Sequence, residues 1–231
     1  MNIYFLTEDS QSFIKVLPTW LNFLEFPCER VNKLENATGN SYILESGYGV
    51  QQLIDKTLLE ALNVIDSSSV SIDWLVIILD SENRTIYERE TEVKKVIDKH
   101  YSGITPYYQI KIIVARCCFE TWLLGDRALY PNDTKSLSDV NPYLLSFVNY
   151  YDVKNKDPQL MHSPANFDIT DARYHFSYLH ELCRNNNVPY SKSKPDYAKY
   201  RRCFNSLVNR IKDTNHINTF KELYDFIKSI S

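Results

Sequence analysis

The sequence predicts an α/β protein in which a largely parallel sheet is flanked by helices and followed by a helical C-terminal extension. Short β-rich runs alternate with helical patterns along residues 1–130, and this order is typical of a parallel sheet. One run, 74–79, is apolar at every position, as expected of a strand buried on both faces. Residues 131–231 instead combine scattered prolines with helical patches. We therefore interpret 1–130 as an α/β domain and 131–231 as a mainly helical extension packed on it.

Four strands are predicted from runs that are rich in β-branched and aromatic residues and end at polar or turn residues. The first ends before Thr7-Glu8-Asp9, and the third ends in Asp80. The second is closed by Gly47-Tyr48-Gly49, which we interpret as a tight turn because a phosphate-binding loop needs a further glycine and a lysine. In chain order, the predicted strands are 2–6, 41–46, 74–80 and 109–115.

Apolar residues three and four positions apart predict a helix after each strand and further helices in the extension. Pro18 lies inside the first of them and predicts a kink or a restart. The helix at 85–100 is rich in charge and is expected at the surface. In chain order, the predicted helices are 11–26, 50–65, 85–100, 116–129, 143–151, 171–184, 197–212 and 220–230.

Composition narrows the classes of function. The chain has 231 residues, 44% of them hydrophobic, which is enough for a sizeable core. Its net charge of −3 gives no overall basic character, so any contact with nucleic acid must be local or shared with a partner. No signal peptide and no membrane span are recognisable, and we expect a cytoplasmic protein without membrane association.

The cysteines and histidines predict no metal site. The five cysteines are expected to be reduced thiols, and none forms a CxxC pair of the kind that structural zinc sites use. Cys117 and Cys118 follow a predicted buried strand, so small buried thiols are expected there. His175 and His180 are five positions apart, a poor spacing for sharing a metal, and are expected to pack or to lie at the surface.

Acidic side chains follow three of the predicted strands. Glu8 follows the first, Asp80 and Glu82 the third, and Glu120 the fourth. Because the C-terminal ends of parallel strands share one edge of a sheet, we expect these carboxylates to meet there. A hard divalent cation such as Mg²⁺ (or Mn²⁺) would relieve their repulsion, orient a phosphate and activate a water, and a remaining carboxylate could act as a general base. Taken singly, each acid fits a helix cap or a solvated side chain better.

A local basic segment with interleaved tyrosines, 191–202, lies in the extension. Its lysines and arginines could contact phosphates while the tyrosines stack on bases. A solvated helix start after Pro195 explains the same pattern and is the simpler alternative.

A strand that ends in Glu8 and a later strand that ends in Asp80-x-Glu82 resemble the Toprim fold, the metal-binding α/β domain of topoisomerases, primases and OLD-family nucleases. The segment ARCCFETWLLGD, 115–126, is similar to one in small Toprim-like bacterial proteins that accompany ATPases in phage-defence gene clusters. Glu120 and Trp122 match the glutamate and the aromatic residue of that segment. Tyr190-Ser191-Lys192 corresponds to a Tyr-x-Lys element in the helical C-terminal part of those proteins.

The resemblance implies a nuclease that hydrolyses phosphodiesters of DNA or RNA with Mg²⁺ or Mn²⁺ and acts as an effector in anti-phage defence. It implies a nucleic-acid substrate and an ATPase partner protein, and it leaves homo-oligomer formation open. It also favours Lys192 as a phosphate contact. The implied metal ligands are Glu8, Asp80, Glu82 and Glu120, and these four together with Lys192 form the implied catalytic set.

The chain departs from the Toprim pattern at the first turn. Many Toprim proteins have Gly directly after the first Glu, and OLD-like members often have a second Glu four positions later. Here Asp9 and Ser12 occupy these positions, which puts a two-metal site in doubt unless Asp9 replaces the missing Glu in part. The usual Asp-x-Asp pair is Asp80-x-Glu82, which keeps the charge on a longer side chain.

Two other functions compete with the nuclease. A receiver-like phosphoacceptor domain also places acids after its first and third strands, but it needs Ser or Thr after the fourth strand and Lys after a fifth. Arg116-Cys117-Cys118 follows the fourth predicted strand, and no fifth strand ending in Lys is evident. A non-catalytic interaction subunit of an ATPase complex, built on a degraded Toprim scaffold, would explain Ser12 and the acidic net charge.

Overall fold

The computed structural model describes residues 1–130 and 141–231 and has a five-stranded, all-parallel sheet flanked by helices. The strands are β1 (Asn2–Thr7), β2 (Glu29–Arg30), β3 (Ser41–Ser46), β4 (Trp74–Asp80) and β5 (Gln109–Ala115), arranged in the order β2-β3-β1-β4-β5. The predicted α/β class, its parallel sheet and its helical C-terminal part are confirmed.

The short strand β2 was not predicted. Its two residues are exposed and pair with the start of β3 at the edge of the sheet, where Glu29 lies opposite Ser41. Two residues are too few to show a periodicity, so no sequence pattern marks this strand.

Helices cover both faces of the sheet and form most of the C-terminal part. They are α1 (Phe13–Phe23), α2 (Val50–Gln52), α3 (Leu58–Ser67), α4 (Ile86–Tyr101), α5 (Phe119–Leu123), α6 (Pro142–Tyr150), α7 (Asp171–Asn185), α8 (Arg201–Asp213) and α9 (Asn218–Ser229). None of the helices described is both long enough and apolar enough to cross a bilayer.

Two predicted helices differ from the observed ones. The helix predicted at 50–65 is interrupted by a π-helical turn at Leu53–Thr57, which joins α2 to α3. The helix predicted at 116–129 is reduced to α5, because Cys117 has a left-handed φ of +65° that a helix cannot contain. After α5, the Asp126 carboxylate accepts a 2.8 Å hydrogen bond from the Ala128 amide and starts a separate 3₁₀ turn at Arg127–Leu129.

Successive residues of the central strands enter two different apolar cores. Tyr4 and Leu6 of β1 belong to the core that α3 and α4 cover. Phe5 of β1 belongs to the opposite core, which α1, α5 and the C-terminal helices cover. In that core the ring centroid of Trp20 lies 5.6 Å from that of Phe204 and 5.4 Å from that of Phe220. The extension therefore shares one continuous core with the α/β part.

The strand order creates a crevice beside β1. This strand has β3 on one side and β4 on the other. The connection after β1 leads to the β2–β3 side, whereas the connection after β3 passes to β4 on the opposite side, and α/β proteins bind ligands at such a switch point. The register pairs Thr7 with Ile78 and Asp80 with Ala115. Glu8 and Asp80 consequently come to lie at the same end of the sheet.

Candidate metal centre

Glu8 and Asp80 are in direct contact at the ends of β1 and β4. The Glu8 amide donates to the Ile78 carbonyl at 2.9 Å, and its carbonyl accepts from the Gly49 amide at 2.7 Å, so both flanking connections hold this residue. Glu8 Oε2 accepts a 2.5 Å hydrogen bond from the Asp80 amide. The Asp80 carboxylate itself accepts no hydrogen bond from the residues described, and both of its oxygens remain available to a ligand.

Glu120 approaches the same place from α5, the short helix that follows β5. The residue is only 1% exposed, and its Oε1 accepts a 3.1 Å hydrogen bond from the hydroxyl of Tyr190. Its negative charge is one of those that raise the pKa of Asp80. Tyr190, the first residue of the Tyr-x-Lys element noted in the sequence, thus orients one of the predicted ligands.

The three carboxylates are electrostatically coupled. Burial is the largest of the effects that together raise the pKa of Glu8 to about 8; the hydrogen bond from the Asp80 amide opposes the rise, and the charges of Glu82 and Asp9 contribute to it. Burial also raises the pKa of Asp80 well above its ordinary range, and the charges of Glu8 and Glu120 add to the shift. A divalent cation placed among these groups would offset both the repulsion and the cost of burial.

Lys192 brings a positive charge to this group. It lies between α7 and α8 and is exposed. Partial desolvation of its ammonium group opposes the charged form, but the charges of Glu120, Cys118, Asp80 and Glu8 outweigh this effect and raise the pKa of Lys192. Lys192 makes no direct ion pair with any residue in the described ranges. Its charge therefore interacts with these carboxylates over distances longer than an ion-pair contact.

Asp9 has a structural role instead of the ligand role considered for it. Its Oδ1 accepts from the amides of Gln11 (2.7 Å) and Ser12 and from the Ser12 hydroxyl (3.0 Å), while Oδ2 accepts from the Phe13 amide at 2.8 Å. These bonds satisfy amides at the N-terminus of α1, where a carboxylate also offsets the helix dipole. Ser12 is buried beneath this cap. Asp9 therefore does not replace the glutamate missing at position 12.

Glu82 differs from the other predicted ligands in its backbone conformation and in its contact with a basic side chain. Its backbone has a left-handed φ of +50°, and its amide donates to the Cys117 carbonyl at 2.9 Å. Its side chain is 53% exposed, with Oε2 3.7 Å from Nη2 of Arg89. The charge of Glu82 still raises the pKa of Glu8, so it belongs to the same electrostatic neighbourhood. Its role as a ligand stays a prediction.

A small cavity of about 20 Å³ lies between β1, β4, α1 and α5, and both Glu8 and Asp80 line it. Carboxylate oxygens are the ligands that Mg²⁺ and Mn²⁺ prefer, so the donor set fits such a cation. Within the described ranges, however, no three acidic residues each place a carboxylate oxygen within 4.8 Å of the other two. The side chains would have to close around a cation to share it.

One cluster of potential ligands was not predicted. Cys117, Cys118 and His175 are all buried, and their possible ligand atoms lie within 4.8 Å of one another. A hydrogen bond from Cys118 and the proximity of His175 together outweigh burial and lower the pKa of Cys117 to about 5. No spacing rule could identify this cluster, because α7 brings His175 from a part of the chain more than fifty positions away.

Comparisons with known proteins do not place the chain in a family. No family model, no curated protein and no solved structure matches it. The Toprim resemblance stays an expectation carried by Glu8, Asp80-x-Glu82 and 115–126.

Proposed function

We propose that the chain is a divalent-metal-dependent nuclease that hydrolyses phosphodiester bonds of DNA or RNA. One observation carries this proposal: the Asp80 carboxylate lies at the switch point of the sheet without a hydrogen-bond donor in the described structure, between Glu8 and Glu120. Lys192 supplies the positive charge that a phosphate needs beside such an acidic group. Glu8, Asp80 and Glu120 would hold Mg²⁺ or Mn²⁺, with Glu82 joining them after leaving Arg89.

Each residue has a distinct part in the proposed reaction. When bound, the cation polarises the phosphate and lowers the pKa of a water molecule. Glu8, with a pKa of about 8 in the metal-free protein, holds a proton near neutral pH that it can give to the leaving oxygen. A cation beside it would favour the ionised form, and only that form could accept a proton from the attacking water. Lys192 binds a phosphate oxygen and stabilises the charge that develops on it. The Tyr190 hydroxyl keeps Glu120 in place.

The biological setting in this proposal comes from the sequence motifs alone. The segment 115–126 and the Tyr190-Ser191-Lys192 element resemble those of small Toprim-like proteins that accompany ATPases in phage defence. On that basis we propose that the chain acts in a cytoplasmic anti-phage system with an ATPase partner.

The test compares three proteins: wild type, Asp80→Asn and Asp98→Asn. Asp98 is an exposed aspartate of α4, so its substitution makes the same chemical change away from the site. Plasmid DNA and single-stranded RNA are incubated with each protein and Mn²⁺ or Mg²⁺, and Mn²⁺ binding is measured by calorimetry. We expect Asp80→Asn to lose cleavage by more than about a hundredfold and Asp98→Asn to retain it. Equal cleavage by wild type and Asp80→Asn would refute the assignment.

A second candidate is a non-catalytic subunit of an ATPase complex. The specific observation in its favour is that two acidic groups near the site are already engaged, Asp9 as a helix cap and Glu82 with Arg89. Purified wild type that neither binds Mn²⁺ at millimolar concentration nor cleaves either substrate would favour this candidate.

A further inference from the structure

We propose that Cys117, Cys118 and His175 form a second metal site, specific for Zn²⁺ and separate from the carboxylate centre. Their sulfur and nitrogen atoms all lie within 4.8 Å of one another, and all three residues are buried. In a tetrahedral zinc site with Zn–S of about 2.3 Å and Zn–N of about 2.0 Å, neighbouring ligand atoms are about 3.5–3.8 Å apart. A contraction of at most about 1 Å would therefore bring these three atoms to the spacing of three zinc ligands, with the fourth position left to a water or another group.

The orientation of His175 fits a metal ligand. Its Nε2 lies 3.0 Å from the backbone carbonyl of Met161, and only a protonated Nε2 can donate a hydrogen bond to that oxygen. The proton on Nε2 leaves the lone pair on Nδ1, which lies 2.7 Å from Oγ1 of Thr121. A histidine that donates one ring N–H to a backbone carbonyl and offers the other nitrogen is the usual arrangement of a zinc ligand.

The two cysteines are held by their own backbone contacts. The Cys117 amide donates to Oγ of Ser81 at 2.8 Å, and its left-handed φ of +65° turns the chain between β5 and α5. Cys118 is the N-cap of α5, and its Sγ lies 3.5 Å from Oγ1 of Thr121. Thr121 Oγ1 thus adjoins both a thiol and the imidazole, and it would have to give up its contact with Nδ1 when the metal binds there.

The chemistry of these ligands distinguishes this site from the carboxylate centre. Two thiolates and an imidazole select a borderline-soft cation such as Zn²⁺, whereas Mg²⁺ and Mn²⁺ prefer oxygen ligands. The two sites are nevertheless linked, because Cys118 lies two positions before Glu120 and the Cys117 carbonyl accepts from the Glu82 amide. Zinc would tie the turn after β5 to α7 and so fix the segment that carries Glu120.

The experiment uses Co²⁺ as a spectroscopic probe on the full-length, reduced, metal-free protein. Cobalt bound by thiolates in a tetrahedral site absorbs in the near ultraviolet through charge transfer and in the visible through d–d bands, and oxygen-ligated Co²⁺ does not show this charge transfer. We expect saturation at about one Co²⁺ per chain and reversal by Zn²⁺. The Asp80→Asn variant should give the same spectrum, since the carboxylate centre is separate.

Variants with their own controls identify the ligands. Cys118→Ser and His175→Ala should each weaken Co²⁺ binding by more than about tenfold. Cys28→Ser and Cys203→Ser alter buried cysteines elsewhere and should leave the spectrum unchanged. Because a variant could fail to fold, the wild-type spectrum decides by itself. Absence of thiolate charge transfer in reduced wild type, or its loss in Cys28→Ser or Cys203→Ser instead, would overturn the proposal.

Discussion

The Asp80 backbone amide donates a hydrogen bond to the Glu8 carboxylate, which joins the ends of β1 and β4 at 2.5 Å. Glu8 therefore has two duties: it stabilises the turn after the central strand, and it brings a carboxylate beside that of Asp80. A divalent cation could bind the other oxygen of the Glu8 carboxylate while Oε2 keeps its hydrogen bond to the Asp80 amide, because a carboxylate has two oxygens.

The metal-free protein should lose stability as the pH rises through the range in which Glu8 ionises. Its pKa is about 8 in the folded protein and 4.5 in the reference state, so the folded state binds the extra proton between these values. Stability from this group is thus fully present below about pH 4.5 and is lost up to about pH 8, with a slope of at most about 1.4 kcal/mol per pH unit. Urea denaturation of wild type and Glu8→Gln at pH 5.5 and 8 measures this difference. Glu35→Gln, which replaces an exposed glutamate, is the control and should keep the wild-type dependence of stability on pH. If Glu8→Gln also kept that dependence, the group with the raised pKa would not be Glu8.

Substitutions of Asp9 should show whether its carboxylate caps helix α1 or binds the metal ion. Asp9→Ala removes the acceptor for the amides of Gln11, Ser12 and Phe13 and is expected to cost about 1–2 kcal/mol of stability. Asp9→Asn keeps one acceptor oxygen and should cost less than Asp9→Ala, with metal-dependent cleavage retained. Thermal unfolding and the plasmid assay measure the two effects. Loss of Mn²⁺ binding in Asp9→Asn would show that Asp9 is a ligand after all.

Removing the Tyr190 hydroxyl should disturb Glu120. Tyr190→Phe leaves a buried carboxylate without its 3.1 Å donor, at an expected cost of about 1–3 kcal/mol. Cleavage should also fall, because Glu120 loses its fixed orientation. Tyr87→Phe is the matched control, since Tyr87 is exposed on α4. Equal denaturant midpoints for the two variants would argue against this role of Tyr190.

Substitution of Lys192 should weaken contact with the phosphate backbone. We measure how the binding constant for a fluorescent oligonucleotide depends on salt concentration. For Lys192→Met, the slope of the logarithm of the binding constant against the logarithm of the salt concentration should be smaller in magnitude by about 1 than for wild type. Lys99→Met, an exposed lysine at the end of α4, provides the control and should keep the wild-type slope. Identical slopes for all three proteins would place Lys192 outside the interface.

Arg210 should be a strong determinant of stability and not of catalysis. It is 1% exposed, and its guanidinium donates to the carbonyls of Val153 (3.0 Å), Lys154 (2.8 Å) and Lys156 (2.8 Å). Arg210→Met would remove the guanidinium that donates to the buried carbonyls of Val153 and Lys156, and a loss of about 3 kcal/mol or more is expected from urea denaturation. Arg173→Met, at an exposed position of α7, should change stability by less than about 0.5 kcal/mol.

The sequence by itself determined the α/β class, the four longer strands and the position of the acids at the strand ends. These features follow from local rules, since an apolar run such as 74–79 can only be a buried strand or helix and its flanking residues decide between the two. The same rules missed β2, which is too short for a pattern, and predicted too long a helix after β5: the left-handed Cys117 delays its start to Phe119, and it ends at Leu123 before a separate 3₁₀ turn.

Only the tertiary structure showed how the contacts of those acidic side chains differ. Asp9 and Glu82 have the same charge as Asp80, but the start of α1 engages Asp9 and Arg89 engages Glu82, while Asp80 accepts no hydrogen bond from a described residue. Only the fold could bring His175 to Cys117 and Cys118. The physical reason is the same in each case: a ligand set depends on distances between side chains from remote elements, and those distances follow from strand order and packing, which no local pattern contains.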